Sequence, residues 1–387
     1  MSELSLYNLS PALQLMGVGL AVAALPLGWL AWRHRQASPA QRLQALTVLT
    51  LFLTFDLILF GAFTRLTDSG LGCPDWPGCY GSASPAGAQA HIAAAQAAMP
   101  TGPVTHGKAW VEMVHRYLAT GVGVLILSLA VMTWRQHLRN ALQASRPWWP
   151  VITLVWVCVQ GAFGALTVTM KLFPAIVTLH LLFGMGLLAL LTTQAVHSDG
   201  WKSCTVTSGL RKGLVLAWVL VWLQIALGGW VSTNYAVLAC SGFPSCNGSW
   251  WPSMDVQGFG LWRDLGHTTD GQVLPFAALT AIHYVHRSAA WLVLTVLVIV
   301  GWRLRAVQGM SRWGNALLML AGLQLITGMS NVVLGWPLVS AVAHTGGAAA
   351  MVVVLTWALC VSRASDSSLS AAAHAPEASS FDSRPAA

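Results

Sequence analysis

The feature that most constrains this chain is a series of long apolar runs separated by short polar segments. Each run approaches the roughly 20 apolar residues that an α-helix needs to cross a bilayer. Only 8% of the residues are charged and 56% are hydrophobic, whereas a soluble domain carries roughly a quarter charged residues. The sequence therefore predicts an all-α polytopic membrane protein with nine spans, at about 11–32, 44–64, 109–134, 150–170, 175–195, 213–233, 276–302, 314–335 and 338–361.

The distribution of basic residues predicts how these spans are oriented. No basic residue precedes the first run, and Arg33, Arg35 and Arg42 follow it, which is the opposite of the charge order in a cleaved signal peptide. With the N-terminus outside, most Lys and Arg residues fall in inner segments, as the positive-inside rule requires. We therefore expect a bacterial inner-membrane protein with a periplasmic N-terminus and a cytoplasmic C-terminus. Because the basic residues are scattered in small groups, the net charge of +8 does not indicate nucleic-acid binding.

Three blocks of sequence recur at nearly constant shifts of 164 to 171 residues: 61–81 with 228–248, 112–116 with 283–287, and 160–180 with 324–344. An even number of spans per repeat makes the two copies run parallel about an axis along the membrane normal. We therefore expect two tandem parallel four-helix bundles, with the first helix outside the repeat. The predicted domains are the extra helix and its linker, the two halves and a disordered cytoplasmic tail, at 1–43, 44–200, 201–362 and 363–387.

Each half carries two histidines within predicted spans, His115 and His180 in the first and His286 and His344 in the second. Ionisable side chains inside a membrane are costly and commonly functional. Two imidazoles at matched depth on two helices of one bundle are what axial ligation of a haem requires. Two other interpretations, isolated buried histidines and a zinc or copper site, are weaker. The pair recurs in both halves, and no further cluster of metal ligands lies at that depth.

Two kinds of neighbour accompany these histidines. His283 lies one turn before His286 and competes with it as a ligand, but His286 shares a His-Arg dipeptide with His115. Arg116 and Arg287 follow the predicted ligands directly. They could pair with haem propionates or simply extend to the membrane interface.

The halves differ at position 112, where Glu112 in the first half corresponds to His283 in the second. Glu112 shares a helix face with His115. A desolvated carboxyl beside a haem could carry protons or stabilise a cationic intermediate, although a bridging role near the helix end is the alternative. Asp56, deeper in its span, is a second candidate proton carrier, with helix packing as its alternative role.

Two cysteine pairs, Cys73 with Cys79 and Cys240 with Cys246, lie in the two long loops predicted to be outside. Five residues separate the members of each pair, which lets the loop close to disulfide distance, and the outer compartment is oxidising. We therefore expect two disulfides, with either a structural role over the haem pocket or a redox role. A zinc site would need two more ligands at suitable spacing.

Together these residues resemble the haem A synthase family of cytochrome oxidase assembly, over about residues 44–361. The resemblance is carried by the Thr64–Cys79 stretch with its Cys73-Pro-Asp-Trp-Pro sequence, by Glu112, by His115-Arg116 and His286-Arg287, and by His180 and His344. It implies an oxidoreductase that converts a ring methyl group of haem O to a formyl group. Two successive hydroxylations would give a gem-diol, which loses water to the aldehyde.

The resemblance also implies a division of labour between the halves. Haem B would be held in the second half by His286 and His344, where electrons enter. Haem O would bind near His115 and His180, with Glu112 as the essential acidic group. Haem O synthase and oxidase assembly factors are the partners that it implies; the electron donor and a homo-oligomeric state stay open.

Two other functions are compatible with four intramembrane histidines. One is a di-haem b-type electron-transfer protein of the quinol oxidoreductase kind, and the other is a haem transporter. The first does not account for the difference between Glu112 and His283 or for the two cysteine pairs, and the second is suggested by the parallel repeats.

Overall fold

The computed structural model describes residues 10–139, 148–198, 201 and 203–364. Within them, nine helices are long and apolar enough to cross a membrane, which confirms the predicted spans. They are α1 (Ser10–Arg33), α2 (Pro39–Leu66), α4 (His106–Arg139), α5 (Trp148–Thr169), α6 (Pro174–Ser198), α7 (Ser208–Thr233), α8 (Phe276–Arg305), α9 (Ser311–Val333) and α10 (Leu338–Val361). The predicted disordered tail lies outside the described residues from 365 onward.

Helix α2 begins before the apolar run that predicted it, because its first turn is polar and strongly capped. The side chain of Ser38 accepts a hydrogen bond from the Gln41 amide at 3.3 Å, and the Gln41 side chain accepts one from the Ser38 amide at 2.9 Å. Pro39 occupies the first helical position, where its fixed φ suits a helix and its missing N–H costs nothing. The predicted boundary at 43/44 therefore falls inside this helix.

The eight helices of the repeat form two rings of four. In the N-terminal bundle α2 packs on α4, α4 on α5, α5 on α6 and α6 on α2. In the C-terminal bundle α7, α8, α9 and α10 contact each other in the same cyclic order. Between the bundles, α2 packs on α10 and α6 packs on both α7 and α10. Helix α1 packs outside the repeat on α4.

One end of the molecule carries the two long loops, 67–105 and 234–275, and is called the disulfide end below. The first loop contains a short helix, α3 (Gln89–Ala98), which the hydrophobic pattern did not predict. At the opposite end, β1 (Cys204–Val206) pairs in parallel with β2 (Ser362–Ala364), which were also not predicted. This pairing joins the start of the C-terminal bundle to its end.

At the disulfide end the halves meet through positions that correspond in the repeat. Arg65 donates to the backbone carbonyl of Ser232 at 2.6 Å, and Tyr235 donates to Asp68 Oδ1 at 2.6 Å. Partial burial raises the pKa of the Tyr235 phenol above its usual value, so the hydroxyl keeps the proton that it donates. Contacts between equivalent positions are expected where a pseudo-two-fold axis passes between two copies.

Candidate functional site

All four predicted histidines lie within the first three turns of their helices, at the disulfide end. His115 of α4 and His286 of α8 each face a glycine of the neighbouring helix. A Cβ atom built on Gly61 would lie 3.1 Å from His115 Nε2, and one built on Gly228 would lie 2.9 Å from His286 Cε1. A larger residue in place of either glycine would therefore press against the imidazole.

The histidines of α6 and α10 repeat this arrangement against α5 and α9. A Cβ atom on Gly164 would lie 3.2 Å from His180 Cε1, and one on Gly328 would lie 3.3 Å from His344 Cε1. Four glycines at repeat-related positions thus leave room for four imidazole rings. Within each bundle the two rings are close enough for their charges to interact, and all four are only half-buried.

A cavity of about 350 Å³ occupies the C-terminal bundle and is lined by both His286 and His344. Its volume falls in the roughly 300–1,000 Å³ range of small-molecule sites. At the disulfide end its wall includes Arg287 and three serines, whereas deeper in the bundle it is apolar, with residues such as Leu297 and Met351. The residues fit a haem, which has an apolar ring and two anionic propionates at one edge.

Both imidazoles of the C-terminal bundle have hydrogen-bonded partners at Nδ1. Thr327 Oγ1 lies 2.9 Å from His344 Nδ1 and donates its own proton to the Leu323 carbonyl at 2.7 Å. The threonine oxygen is therefore an acceptor for an Nδ1–H, which leaves Nε2 of His344 free to bind a metal. The side-chain nitrogen of Gln224 lies 3.1 Å from His286 Nδ1 and donates to the His286 carbonyl at 3.0 Å, so this contact holds His286 through a donor, unlike the acceptor at His344.

The N-terminal bundle lacks these partners. The repeat places Phe163 where the C-terminal bundle has Thr327, and Leu57 where it has Gln224. His180 adopts nearly the same ring position against its glycine as His344 does, yet its Nδ1 is buried and has no hydrogen-bond partner among the described residues. The side-chain partner that holds His344 at Nδ1 is therefore missing at His180.

Glu112 is 4% exposed and lies beneath the first disulfide loop. Its Oε2 accepts a hydrogen bond from the Cys73 amide at 2.8 Å, and its Oε1 forms an ion pair with Arg116 Nη2. The carboxylate thus connects the helix that carries His115 to the loop that carries the disulfide. Sequence reasoning had placed Glu112 beside the histidine but had not predicted this attachment.

Both arginines that follow the histidines anchor the disulfide loops. Arg116 Nη1 donates to the carbonyls of Asp75, Pro77 and Gly78 at 3.0, 3.1 and 2.6 Å.

In the second half, Arg287 makes the corresponding contacts. It donates to the carbonyls of Cys240 and Gly242, each at 3.0 Å. Arg287 also lines the cavity, and no carboxylate pairs with it among the described residues. It therefore holds the loop and presents positive charge to the cavity at the same time.

The two cysteine pairs are within bonding distance, as predicted. The S–S distances are 2.17 Å for Cys73–Cys79 and 2.07 Å for Cys240–Cys246. In the second loop Cys246 lines the cavity. Each disulfide loop therefore covers the end of its bundle, above the histidines.

Two further candidates lie away from the cavity. His283 is 5% exposed, its ring lies beside the backbone of Ala236, and it is absent from the cavity wall, which His286 helps to form. Asp56 lies on an exposed side of α2, at the position that corresponds to exposed Leu223. Within the described part of the chain, no group of three or more His, Cys, Asp and Glu residues could hold a metal ion.

The partners Thr327 and Gln224 and the four glycines were missed by sequence reasoning. The recurrence of Gly164 and Gly328 with the histidines was visible in the repeat. Thr327 and Gln224 had no such signal, because their counterparts in the other half are Phe163 and Leu57.

Comparison with known proteins finds a matching family model and several similar relatives. A family model described as cytochrome oxidase assembly protein matches residues 44–356. Heme A synthase of Shewanella oneidensis is 36% identical over 311 residues, covering 79% of this chain and 92% of the relative. Heme A synthases of Halalkalibacterium halodurans and Caulobacter vibrioides are each 27% identical, covering 79% of this chain and 90% and 91% of the relatives.

Proposed function

This chain belongs to the haem A synthase family, and from that premise we propose how its two bundles share the oxidation of haem O to haem A. The chain is an oxidoreductase of haem biosynthesis and a multi-pass bacterial membrane protein. Its substrate is haem O, one ring methyl group of which becomes a formyl group. The observation that carries the proposal is the pair of histidines in each bundle, set against glycines and lining a cavity in the C-terminal bundle.

The C-terminal bundle binds a resident haem B between His286 and His344. Its support is the cavity that both residues line and the hydrogen bond between His344 Nδ1 and Thr327. Such partners fix the orientation of a ligating imidazole and raise its basicity, and losing one commonly lowers metal affinity about 10- to 100-fold. Haem B bound there would accept electrons and pass them toward the substrate site. A site with constrained ligands suits a cofactor that stays bound through many turnovers.

The N-terminal bundle binds haem O near His115 and His180. No side chain of the described residues holds the Nδ1 atom of His180, whereas Thr327 holds that of His344. Arg116 and the disulfide loop cover this end of the bundle, which limits access of water from that side. A substrate site must exchange its ligand, and an imidazole without this side-chain partner favours exchange.

Glu112 is the acidic group of this half. Two hydroxylations and a dehydration require proton transfers, and general acid–base catalysis by a positioned side chain contributes about 10²–10⁴-fold. The Cys73 amide donates to Oε2 and Arg116 pairs with Oε1, and together they position the carboxylate to accept a proton. His115 and His180 orient the macrocycle, and the oxidative chemistry itself is supplied by haem iron.

The disulfide end faces the periplasm in this proposal, with the N-terminus outside and the C-terminus in the cytoplasm. The support is the position of both disulfides at one end and the excess of basic residues in the segments at the other end. Haem O synthase would supply the substrate from within the same membrane, and oxidase assembly factors would receive the product.

The test is to express the chain in a bacterial host that makes haem O but no haem A, and to separate the extracted haems by reversed-phase chromatography. Haem A or its hydroxylated precursor should appear only with this chain. Unchanged haem O, with only haem B bound to the protein, would overturn the proposal in favour of a di-haem electron-transfer protein.

Double variants then test which haem each half binds. Replacing both His286 and His344 with alanine should remove the haem B spectrum of the purified protein, whereas His115→Ala with His180→Ala should retain haem B and abolish conversion. His283→Ala is the matched control, because it removes a buried imidazole one turn from His286 and should retain haem B. A normal haem B spectrum in the His286/His344 double variant would reject the assignment.

A further inference from the structure

The cavity of the C-terminal bundle is closed by bulky residues where α8 and α9 meet. Leu294 of α8 and Leu325 and Met329 of α9 all line it. Leu325 and Met329 are each 37% exposed on the outside of the bundle. These side chains therefore separate the cavity from the surrounding lipid.

The N-terminal bundle has small residues at all three corresponding positions. The repeat aligns Gly123 with Leu294, Gly161 with Leu325 and Ala165 with Met329. A Cβ atom built on Gly123 or Gly161 would have no atom of the described residues within 4 Å. Neither glycine is therefore required by close packing, which distinguishes both from the glycines that face the histidines.

The helices on this side are also less closely packed in the N-terminal bundle. Helices α4 and α5 contact each other much less extensively than α8 and α9 do, although each pair occupies the same place in its ring. At the other places in the ring the two bundles are more alike: α5 contacts α6 about as extensively as α9 contacts α10. The looser packing is thus concentrated where the bulky wall is missing.

We propose that the gap between α4 and α5, bordered by Gly123, Gly161 and Ala165, takes the isoprenoid side chain of haem O. This inference rests on the proposed binding of haem O in the N-terminal bundle. Haem O differs from haem B by a long hydroxyalkyl isoprenoid chain in place of a vinyl group. A gap open to the lipid lets this apolar chain leave the bundle while the macrocycle stays beside the histidines.

The same three positions make each half selective. In the C-terminal bundle Leu294, Leu325 and Met329 fill the volume that an isoprenoid chain would need, so haem B fits and haem O does not. Since both haems present the same iron and propionates, the histidines and arginines cannot discriminate between them. The wall between the second and third helices of each bundle therefore determines whether that half can accept haem O.

The experiment fills the gap with Gly123→Leu and Gly161→Leu, singly and together, in the full-length protein. Because open space surrounds both positions, the variants should fold and retain haem B in the C-terminal bundle. Haem O bound to the purified protein should fall about tenfold or more, and KM for haem O should rise while kcat changes less, as expected when one part of a substrate is excluded. Gly322→Leu is the matched control, because it adds the same side chain at an open helical position outside the cavity wall.

The reciprocal variant is Leu294→Gly with Leu325→Gly, made in a protein that also carries His115→Ala and His180→Ala. It should now retain haem O in the C-terminal bundle, detected by extraction of the purified protein. If the Gly123→Leu/Gly161→Leu variant has normal haem O content and normal KM, the inference is overturned. The proposed function would still stand in that case, provided that the wild-type chain produces haem A. Loss of haem A production by the wild-type chain would instead reject the proposed function itself.

Discussion

The two bundles share one scaffold and differ in what surrounds their imidazoles. Glycines make room for the histidines in both halves, and an arginine one residue further on holds the disulfide loop in both. Only the C-terminal half has Thr327 and Gln224 at Nδ1, and only the N-terminal half has Glu112. Under the proposed division of labour, duplication preserved the means of holding a haem, and substitutions around each site suit one half to retention and the other to chemistry.

Glu112→Gln tests the largest expected difference between the halves. Glutamine can still accept the Cys73 N–H but cannot hold or release a proton at this position, so conversion of haem O should fall about 10²–10⁴-fold. Haem O and haem B should both remain bound, as measured by extraction and absorbance. Partial recovery in Glu112→Asp would support a role for the carboxyl group, and full activity in Glu112→Gln would remove it from the mechanism.

Replacing each of the two anchoring arginines should destabilise the protein by a different amount. Arg116→Gln leaves the buried carboxylate of Glu112 without its ion-pair partner, a change that costs about 3–5 kcal/mol when both groups are buried. Arg287→Gln leaves only loop carbonyls without a donor, at about 1–3 kcal/mol. Thermal unfolding of the two variants in the same detergent, followed by circular dichroism, should show the larger decrease for Arg116→Gln; equal decreases would contradict a structural role for the ion pair.

Thr327→Val should affect the haem B that is proposed to bind in the C-terminal half. Without an acceptor at His344 Nδ1, haem B should bind about 10- to 100-fold more weakly. Its reduction potential should rise, because a less basic imidazole stabilises ferric iron less. Transfer of haem to an apo-globin acceptor measures the release rate, and a redox titration measures the potential.

Thr295→Val is the control for that experiment, because Thr295 lies on the exposed side of α8 and donates to the Trp291 carbonyl in the same i−4 manner at 2.7 Å. It should match the wild type in both measurements. If Thr327→Val also matches the wild type, the hydrogen bond at Nδ1 does not account for retention.

Most of the fold could be predicted, because the constraints that determine it are local or periodic. A span requires a run of apolar residues wherever it lies in the chain, so all nine were visible. Helix α3 was missed because it is short and lies outside the apolar runs, and the pairing of β1 with β2 was missed because it joins residues about 160 positions apart. Helix α2 begins before its predicted span because its first turn is polar. A capping box marks a helix start with polar residues, which hydropathy does not detect.

The sequence by itself determined the spans, the duplication, the histidine pairs and the cysteine pairs, since each is a property of residue type and spacing. Tertiary structure alone decided that His286 rather than His283 lines the cavity, that Glu112 is attached to the disulfide loop, and that Thr327 partners His344. Which way a side chain points, and what it meets there, depends on the packing of helices that are distant in sequence. Repeat comparison showed that the halves differ at Glu112 and His283, but it could not show what either side chain contacts.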